Sequence, residues 1–340
     1  MSTSTRMRKP IFDALNANAM PNGAIAAAAM DQRGSLKRAL EGAGARDVSD
    51  QALSEFKVLV SQALTPHASA ILLDPSYGLD AGRARHPDCG LLYAYERSGY
   101  DTSSPGRQPG LLDGWSVQRL AEQGATGIKV LVYYDPTEDA AINDRKHAFV
   151  ERIGAECEAE GIPYFLETLT YCDRIDDRFE WAKAKPAAVR DTMTEFAKPQ
   201  YRVHVQKVEL PFDPSYLSGL SHPVERVAYE VEEARDHLRA AAEAARQPFI
   251  YLSAGVDMRV FAESLELAAD AGTGFNGVLC GRATWKGSIP VYAQEGADAM
   301  RAWLEDEGVR NIQTLNATIE RCATPWWAAF GGRDALDLVP

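Results

Sequence analysis

Eight short apolar runs recur along most of the chain, and their regular spacing constrains the fold more than any other feature of the sequence. Each run is long enough for a buried strand, and most are separated by helix-length segments. Strands that alternate with helices in this way are typical of parallel β-α-β units. The predicted strands are residues 23–31, 68–75, 90–96, 126–134, 163–169, 202–210, 248–255 and 276–284.

The segments between these strands carry helix signals of their own. Residues 50–65 have apolar side chains at helical spacing behind Asp50, which we expect to cap the helix, and residues 143–161 end at a glycine. Eight strands without a detectable linker favour an α/β fold with a single (β/α)8 TIM barrel over two domains, with a doubly wound open sheet as the alternative. The predicted parts are an N-terminal extension, the barrel, and a C-terminal helix and tail: 1–22, 23–310 and 311–340.

Composition narrows the class of partner. The net charge of −12 argues against nucleic acid or an anionic membrane surface as a partner. It is compatible with a small anionic metabolite, because a few local arginines can override the overall charge at short range. The five cysteines are scattered without a CxxC pair, and no apolar signal segment follows the N-terminus. We therefore expect a cytoplasmic protein.

Charged side chains interrupt three neighbouring apolar strands. Lys129 lies in the fourth predicted strand, Glu167 in the fifth and Lys207 in the sixth. Each has a structural explanation, since a lysine can reach solvent along the strand and Glu167 can pair with either lysine. Active sites of (β/α)8 barrels lie at the C-terminal ends of the strands, and burying three charges there without a purpose is costly. Together the three side chains favour a catalytic site.

These three residue types suit imine chemistry. A lysine attacks a ketone as the free amine, and burial or a second ammonium nearby lowers its pKa. We interpret Lys207 as the candidate nucleophile, Lys129 as its cationic neighbour and Glu167 as the group that moves protons. A metal-dependent mechanism would need converging histidines, and among the six histidines only His204 lies in a predicted strand, facing away from Lys207.

Small and polar residues at the last two strands predict an anion site. Ser253 and Gly255 end the seventh strand, and Gly281 and Arg282 end the eighth. Barrels of this kind often bind phosphate there through backbone amides, although a surface salt bridge is the alternative for Arg282.

Polar residues also follow the first two strands. Asp31 and Gln32 come directly after the first strand, and Asp74 ends the second. Helix capping or turn formation is the alternative for either aspartate.

The chain resembles the tagatose 1,6-bisphosphate aldolase family, which is also related to sulfofructose 1-phosphate aldolases. The matching stretches run in order through most of the chain: "DQRGSLKR", "ILLDPSYGL", "LLYAYERSGYDT", "KVLVYYDP", "ERIGAECEAEGIPYFLE", "KVELP", "YLSAGV" and "FNGVLCGRATW". The resemblance implies a barrel that reversibly cleaves ketohexose 1,6-bisphosphates to dihydroxyacetone phosphate and glyceraldehyde 3-phosphate. It implies no metal and no cofactor. It also implies a sugar phosphate as the small-molecule partner, and a homodimer.

The resemblance assigns roles by position. Lys207 of "KVELP" corresponds to the Schiff-base lysine, Glu167 of "FLE" to the proton shuttle, and Lys129 of "IKVL" to its neighbour. The remaining implied contacts are to the sugar for Asp31 and Gln32, and to a phosphate for Ser253, Gly281 and Arg282.

The anion at the far end of the substrate separates two expectations. A C6 phosphate carries about two charges near neutral pH and calls for at least two cations, whereas a 6-deoxy-6-sulfofructose 1-phosphate carries a single charge there. Arg33, with Lys37 one helical turn further on, is the candidate source of these cations, and this favours a bisphosphate. A solvated charge pair is the alternative for Lys37. A sugar-phosphate-binding regulator with residual activity is the alternative of a different class.

Overall fold

A computed structural model describes residues 5–340 and shows a closed barrel of eight parallel strands. The strands are β1 (Thr5–Arg8), β2 (Ile25–Ala29), β3 (Ala70–Leu73), β4 (Gly90–Ala94), β5 (Gly127–Tyr134), β6 (Tyr164–Thr170), β7 (Val205–Val208), β8 (Phe249–Leu252), β9 (Gly277–Cys280) and β10 (Leu336–Val339). Strands β2 to β9 pair in chain order, and β9 pairs with β2 to close the barrel. Each of these eight coincides with one predicted strand, so the single (β/α)8 barrel is confirmed and the open sheet is excluded.

Helices surround the barrel and connect its strands. They are α1 (Lys9–Ala17), α2 (Gly34–Gly42), α3 (Asp50–Leu64), α4 (Leu79–Arg83), α5 (Val117–Glu122), α6 (Ala140–Glu160), α7 (Arg178–Phe196), α8 (Val231–Ala244), α9 (Met258–Asp270), α10 (Arg282–Trp285), α11 (Ser288–Glu295), α12 (Ala297–Trp303) and α13 (Val309–Cys322). A π-helical turn, Leu304–Gly308, joins α12 to α13. Between β3 and β4 the connection holds only the five-residue α4, which agrees with the weak helix signal of that segment.

Local sequence explains where two of the longer helices begin and end. Helix α3 is capped by Ser49, whose side chain accepts a hydrogen bond from the amide of Ala52, so the prediction that Asp50 is the cap was wrong by one residue. Helix α6 ends at Gly161, which adopts a left-handed conformation with φ of 67°. Glycine adopts this conformation without steric penalty, and the chain can therefore turn directly into β6.

The N-terminal end of the barrel is closed by apolar side chains from both ends of the chain. Ile11, Phe12 and Leu15 of α1 are buried against the barrel interior. Trp326 is fully buried there and packs edge-on against Phe12, with ring centroids 5.5 Å apart. Strand β1 pairs in parallel with β10 beside this plug, a contact that the sequence did not predict. Residues 1–4 of the predicted extension lie outside the described range.

Candidate active site

A cavity of about 770 Å³ opens at the C-terminal end of the barrel. Ten of the site candidates from the sequence line it: Asp31, Gln32, Arg33, Lys129, Glu167, Lys207, Ser253, Gly255, Gly281 and Arg282. The barrel topology explains this convergence, because the carboxyl ends of all eight parallel strands meet at one rim. Their individual roles remain predictions.

The centre of the cavity floor is formed by Lys207 and Glu167. These two residues are directly opposite each other in the pairing of β6 with β7. Their side chains point into the barrel, both are buried, and Lys207 Nζ lies 2.9 Å from Glu167 Oε2. A carboxylate at this distance can accept a proton from the lysine ammonium or return it.

Lys129 is held on the other side of Glu167 by three carboxylates. Its Nζ lies 2.7 Å from Glu167 Oε2, 2.8 Å from Glu96 Oε1 and 3.0 Å from Asp31 Oδ2. The same Glu167 oxygen therefore contacts both lysines. Glu167 is thus the link between Lys129 and the candidate nucleophile.

The charges in this cluster set one another's ionisation. Burial would lower the pKa of Lys129, but Asp31, Glu167 and Glu96 raise it well above its ordinary value. Burial would likewise raise the pKa of Asp31, yet the charges of Lys129 and Lys207 hold it well below its usual range. The pKa of Glu167 is also lowered, because Lys129 and Lys207 outweigh the effect of burial. Lys129 is consequently a permanent cation, and Asp31 and Glu167 are carboxylates before substrate binds.

Glu96 is a site residue that the sequence reading missed. It follows β4, is buried, and its Oε2 has no hydrogen-bond partner within residues 5–340. Burial raises its pKa in spite of the nearby Lys129. A signal was available, because Glu96 is a charged residue in a predicted apolar strand, as are Lys129 and Glu167, and it lies at the C-terminal end of that strand.

Arg33 forms a hydrogen bond to the backbone of Glu96. Its Nη2 donates a 2.9 Å hydrogen bond to the carbonyl oxygen of Glu96 and lies 3.9 Å from Glu96 Oε1. Arg33 is buried at the cavity wall, and its Nε has no hydrogen-bond partner in the described chain. Lys37, its predicted companion, is exposed and does not line the cavity.

Two other arginines lie where Lys37 was expected to act. Arg38 of α2 and Arg97 of the loop after β4 line the cavity, and both are solvent-exposed. Gly110 leaves room for Arg97, since a Cβ at that position would lie 2.9 Å from Arg97 Nε. Within residues 5–340 neither arginine forms a salt bridge, so both guanidinium groups are available to an anionic ligand.

The loops after β8 and β9 form the opposite wall. Ala254 and Gly255 both have positive φ, 48° and 80°, and form a tight turn closed by the hydrogen bond from the Val256 amide to the Ser253 carbonyl. A Cβ on Gly255 would lie 2.9 Å from Arg282 Nη2, so glycine is needed for the guanidinium to lie against this turn. The buried Ser253 and the Arg282 guanidinium then face one corner of the cavity.

Glu209 at the start of the loop after β7 lines the cavity, but residues 211–230 of this loop do not, although loops in this position often act as lids. Its side chains Phe212, Leu217 and Tyr229 are buried among α7, α8 and α9. His204, placed by the sequence within the strand, precedes β7 at the other end of the barrel, where its Nδ1 accepts a 3.1 Å hydrogen bond from the Tyr164 amide.

Comparison with known proteins agrees with this architecture. The family model for the DeoC/LacD family aldolase matches residues 25–287. Tagatose 1,6-diphosphate aldolase 2 of Enterococcus faecalis is 48% identical over 332 residues, which cover 96% of this chain and 98% of that protein. Tagatose 1,6-diphosphate aldolase of Listeria monocytogenes is 44% identical over 337 residues, 98% of each chain. These alignments span nearly the whole chain, so most of the predicted N-terminal extension and of the C-terminal helix and tail aligns with these relatives.

Solved structures share the fold at low sequence identity. Fructose-bisphosphate aldolase from Plasmodium falciparum superposes with a TM-score of 0.68 at 11% identity, covering 95% of this chain and 99% of the other. A Schiff base forming fructose-1,6-bisphosphate aldolase superposes with a TM-score of 0.54 at 12% identity, covering 87% and 98%. Because the sequence identity is so low, both similarities concern the fold alone.

Proposed function

The chain belongs to the DeoC/LacD family of aldolases, and we propose that it cleaves a ketohexose 1,6-bisphosphate through a Schiff base on Lys207. The observation that carries this proposal is the single Glu167 oxygen that lies 2.9 Å from Lys207 Nζ and 2.7 Å from Lys129 Nζ. This arrangement places a nucleophilic amine next to a carboxylate that can take up its proton. A permanent cation holds that carboxylate in position from the other side.

The first half of the proposed reaction forms the imine. Glu167 accepts a proton from the Lys207 ammonium, and the free Nζ attacks the C2 carbonyl of the open-chain ketose. The attacking nitrogen, now positively charged, passes a proton to the former carbonyl oxygen, and this gives the neutral carbinolamine with its hydroxyl. Glu167 then returns a proton to this hydroxyl, which leaves as water while the nitrogen lone pair forms the C=N bond. The product is a protonated imine between Lys207 and C2.

The second half breaks the C3–C4 bond. Glu167 removes the C4 hydroxyl proton, the C4 carbonyl of glyceraldehyde 3-phosphate forms, and the electrons of the C3–C4 bond move into the iminium to give an enamine. The proton that Glu167 took from the C4 hydroxyl is delivered to C3, which regenerates the iminium, and hydrolysis of the iminium by water releases dihydroxyacetone phosphate and Lys207. Asp31, fixed to Lys129, is available to bind the sugar hydroxyls.

The distribution of arginines supports a substrate with an anion at each end. Arg282 and the turn at Ser253 are suited to the C1 phosphate near the imine carbon. Arg38 and Arg97 supply two cations at the wall formed by α2 and the β4 loop, where a C6 phosphate with about two charges would be bound more strongly than a sulfonate. The names of the curated relatives point to the same substrate class.

A substrate panel tests this proposal. Purified protein treated with EDTA is assayed for dihydroxyacetone phosphate released from D-tagatose 1,6-bisphosphate, its epimers, and 6-deoxy-6-sulfofructose 1-phosphate. We expect turnover of the bisphosphates that EDTA does not reduce. A preference for the 6-sulfonate would reassign the substrate, and absence of turnover on the whole panel would favour a sugar-phosphate-binding regulator.

Charge removal at the far wall sharpens the assignment. Arg97→Gln is expected to raise the KM for the bisphosphate by about tenfold, the value of one charge-assisted contact, with a much smaller effect on a ketose 1-phosphate. Lys37→Gln is the matched control, because Lys37 lies on α2 outside the cavity. Equal losses on both substrates would remove Arg97 from this subsite.

A further inference from the structure

A second buried lysine lies directly behind the cavity wall. Lys57 of α3 and Asp74, which follows β3, are both fully buried and form an ion pair. The other oxygen of Asp74 accepts hydrogen bonds from the amides of Ser76 and Tyr77, each 3.0 Å long. Asp74 is therefore a turn former, as one of the sequence alternatives proposed, and it is also the counterion of a lysine that does not touch the cavity.

The remaining protons of this ammonium go to the segment that carries Asp31. Lys57 Nζ donates to the carbonyl oxygen of Met30 at 2.8 Å and to that of Gln32 at 2.7 Å. With Asp74 as the third acceptor, all three N–H groups are used. Met30 and Gln32 are the residues immediately before and after Asp31, so Lys57 holds the chain on both sides of that residue, at the Met30–Asp31 and Gln32–Arg33 peptide groups.

Residues 30–33 lie between two regular elements, since β2 ends at Ala29 and α2 begins at Gly34. The Met30 amide still donates to the Leu72 carbonyl of β3, and the Arg33 carbonyl accepts from the Lys37 amide of α2. Asp31 and Gln32 between them form no helix or sheet backbone hydrogen bond in the described chain. Asp31 must nevertheless hold its carboxylate 3.0 Å from Lys129 across the barrel mouth. Lys57 supplies the fixed point that regular secondary structure provides for the residues on β5, β6 and β7.

We propose that Lys57 is a positioning residue that sets the place and orientation of Asp31 for the aldolase reaction. This inference rests on the proposed function, because it takes Asp31 to be a substrate-binding residue. The charge of Lys57 acts in the same direction as its hydrogen bonds. Burial would raise the pKa of Asp31, and Lys129, Lys207 and, to a smaller degree, Lys57 lower it.

The test variant must not leave a buried charge without a partner, because that alone can unfold a protein. Lys57→Met with Asp74→Asn removes both charges and keeps an acceptor for the turn amides. Leu64→Ala is the matched control, since Leu64 is a fully buried side chain on the same helix, away from the cavity. Both proteins should be less stable than wild type, but only the first loses the clamp on Asp31.

We expect the Lys57→Met/Asp74→Asn variant to lower kcat/KM for the wild-type substrate by about 10- to 100-fold, as is common for residues that orient an active-site group. Leu64→Ala should stay within about twofold of wild type when assayed below its melting temperature. Lys57→Gln/Asp74→Asn keeps two donors for the carbonyls and should recover part of the loss. It also carries the test if the methionine variant does not fold.

The background Asp31→Asn separates positioning from general destabilisation. If Lys57 acts through Asp31, the Lys57→Met/Asp74→Asn changes in the Asp31→Asn protein should lower kcat/KM by less than about threefold. The contribution of the Asp31 carboxylate has already been lost in that protein. A full loss in the Asp31→Asn background, or wild-type kcat/KM in the Lys57 variants, would overturn the inference. Failure of the proposed function is recognised separately, because the wild-type protein would then not release dihydroxyacetone phosphate.

Discussion

At the N-terminal end of the barrel α1 and Trp326 fill the interior with apolar side chains, whereas at the C-terminal end the interior opens above a cluster of charges. On two of the strands, the inward-facing side chains change from apolar to charged within two residues. On β6 the inward-facing side chain changes from Phe165 to Glu167, and on β7 it changes from Val205 to Lys207.

This contrast separates what holds the barrel together from what the barrel does. The apolar layer at the N-terminal end of the barrel, called the lower end below, excludes water and contributes to the free energy of unfolding through packing. At the C-terminal end of the barrel, called the upper end below, Lys129 lies among three carboxylates, and such buried charges add little net stability. Substitutions at the two ends should therefore affect different measurements, and the following predictions test this from the largest effect to the smallest.

Lys207→Met should abolish turnover without unfolding the protein. Loss of the nucleophile should lower kcat by about 10⁴-fold or more, equivalent to about 5.4 kcal/mol of transition-state stabilisation. Glu167 remains paired with Lys129 at 2.7 Å, so the melting temperature should change little. Lys146→Met is the control, because Lys146 is equally buried but lies on α6 outside the cavity. Normal turnover by the Lys207 variant would refute its assignment.

Trp326→Ala should lower the stability of the protein and leave kcat unchanged. Removing a fully buried tryptophan from the plug should lower the free energy of unfolding by about 3–5 kcal/mol, as measured by urea denaturation. The kcat of the remaining folded protein should match wild type. The neighbouring Trp327 is only half-buried, so Trp327→Ala should cost less. A large fall in kcat at a temperature where the Trp326 variant is folded would show that the two ends are coupled.

The pH dependence of stability should originate partly at the lower end. Burial lowers the pKa of His204 from its ordinary value of 6.5 to about 4, so between these pH values the unfolded chain binds more protons than the folded one. The free energy of unfolding should fall as the pH decreases from 6.5 to 4, by on the order of 3 kcal/mol. His204→Asn, which keeps an acceptor for the Tyr164 amide, should flatten this slope. The exposed His86→Asn should not, and an unchanged slope in the His204 variant would assign the effect elsewhere.

Glu167→Gln should slow the reaction while preserving the architecture of the upper end. The amide keeps the shape of the side chain but cannot exchange a proton, so cleavage should fall by about 10²-fold, or about 2.7 kcal/mol. Trapping of the imine should persist at a reduced rate, since Lys207 is still present. Wild-type cleavage by this variant would give Glu167 a purely structural role.

The barrel and its rim could be predicted from the sequence because both depend on local patterns. Apolar runs located the eight barrel strands, and the rule that barrel chemistry lies at strand C-terminal ends selected Lys129, Glu167 and Lys207. The same rule applied strictly would have included Glu96. Arg38 and Arg97 could not be found in this way, because their positions depend on how α2 and the β4 loop fold over the rim.

Contacts between distant segments carried no such local signal. The pairing of β1 with β10 joins four-residue strands from opposite ends of the chain, and neither has a strong strand pattern. The sequence pattern gives a weak indication that Lys57 is buried, since it falls on the same face of α3 as Leu53 and Val60, where an apolar residue is expected. Its partners Met30 and Gln32 offer only backbone carbonyls, and these cannot be read from side-chain identity.

The measurement that tests the central claim most directly is borohydride trapping with peptide mapping. The wild-type protein is incubated with D-tagatose 1,6-bisphosphate and sodium borohydride in the presence of EDTA, digested, and analysed by mass spectrometry. We predict loss of activity and a reduced ketose phosphate adduct on the peptide that contains Lys207. An adduct confined to Lys129, or turnover without any adduct, would contradict the assignment of Lys207 as the Schiff-base residue.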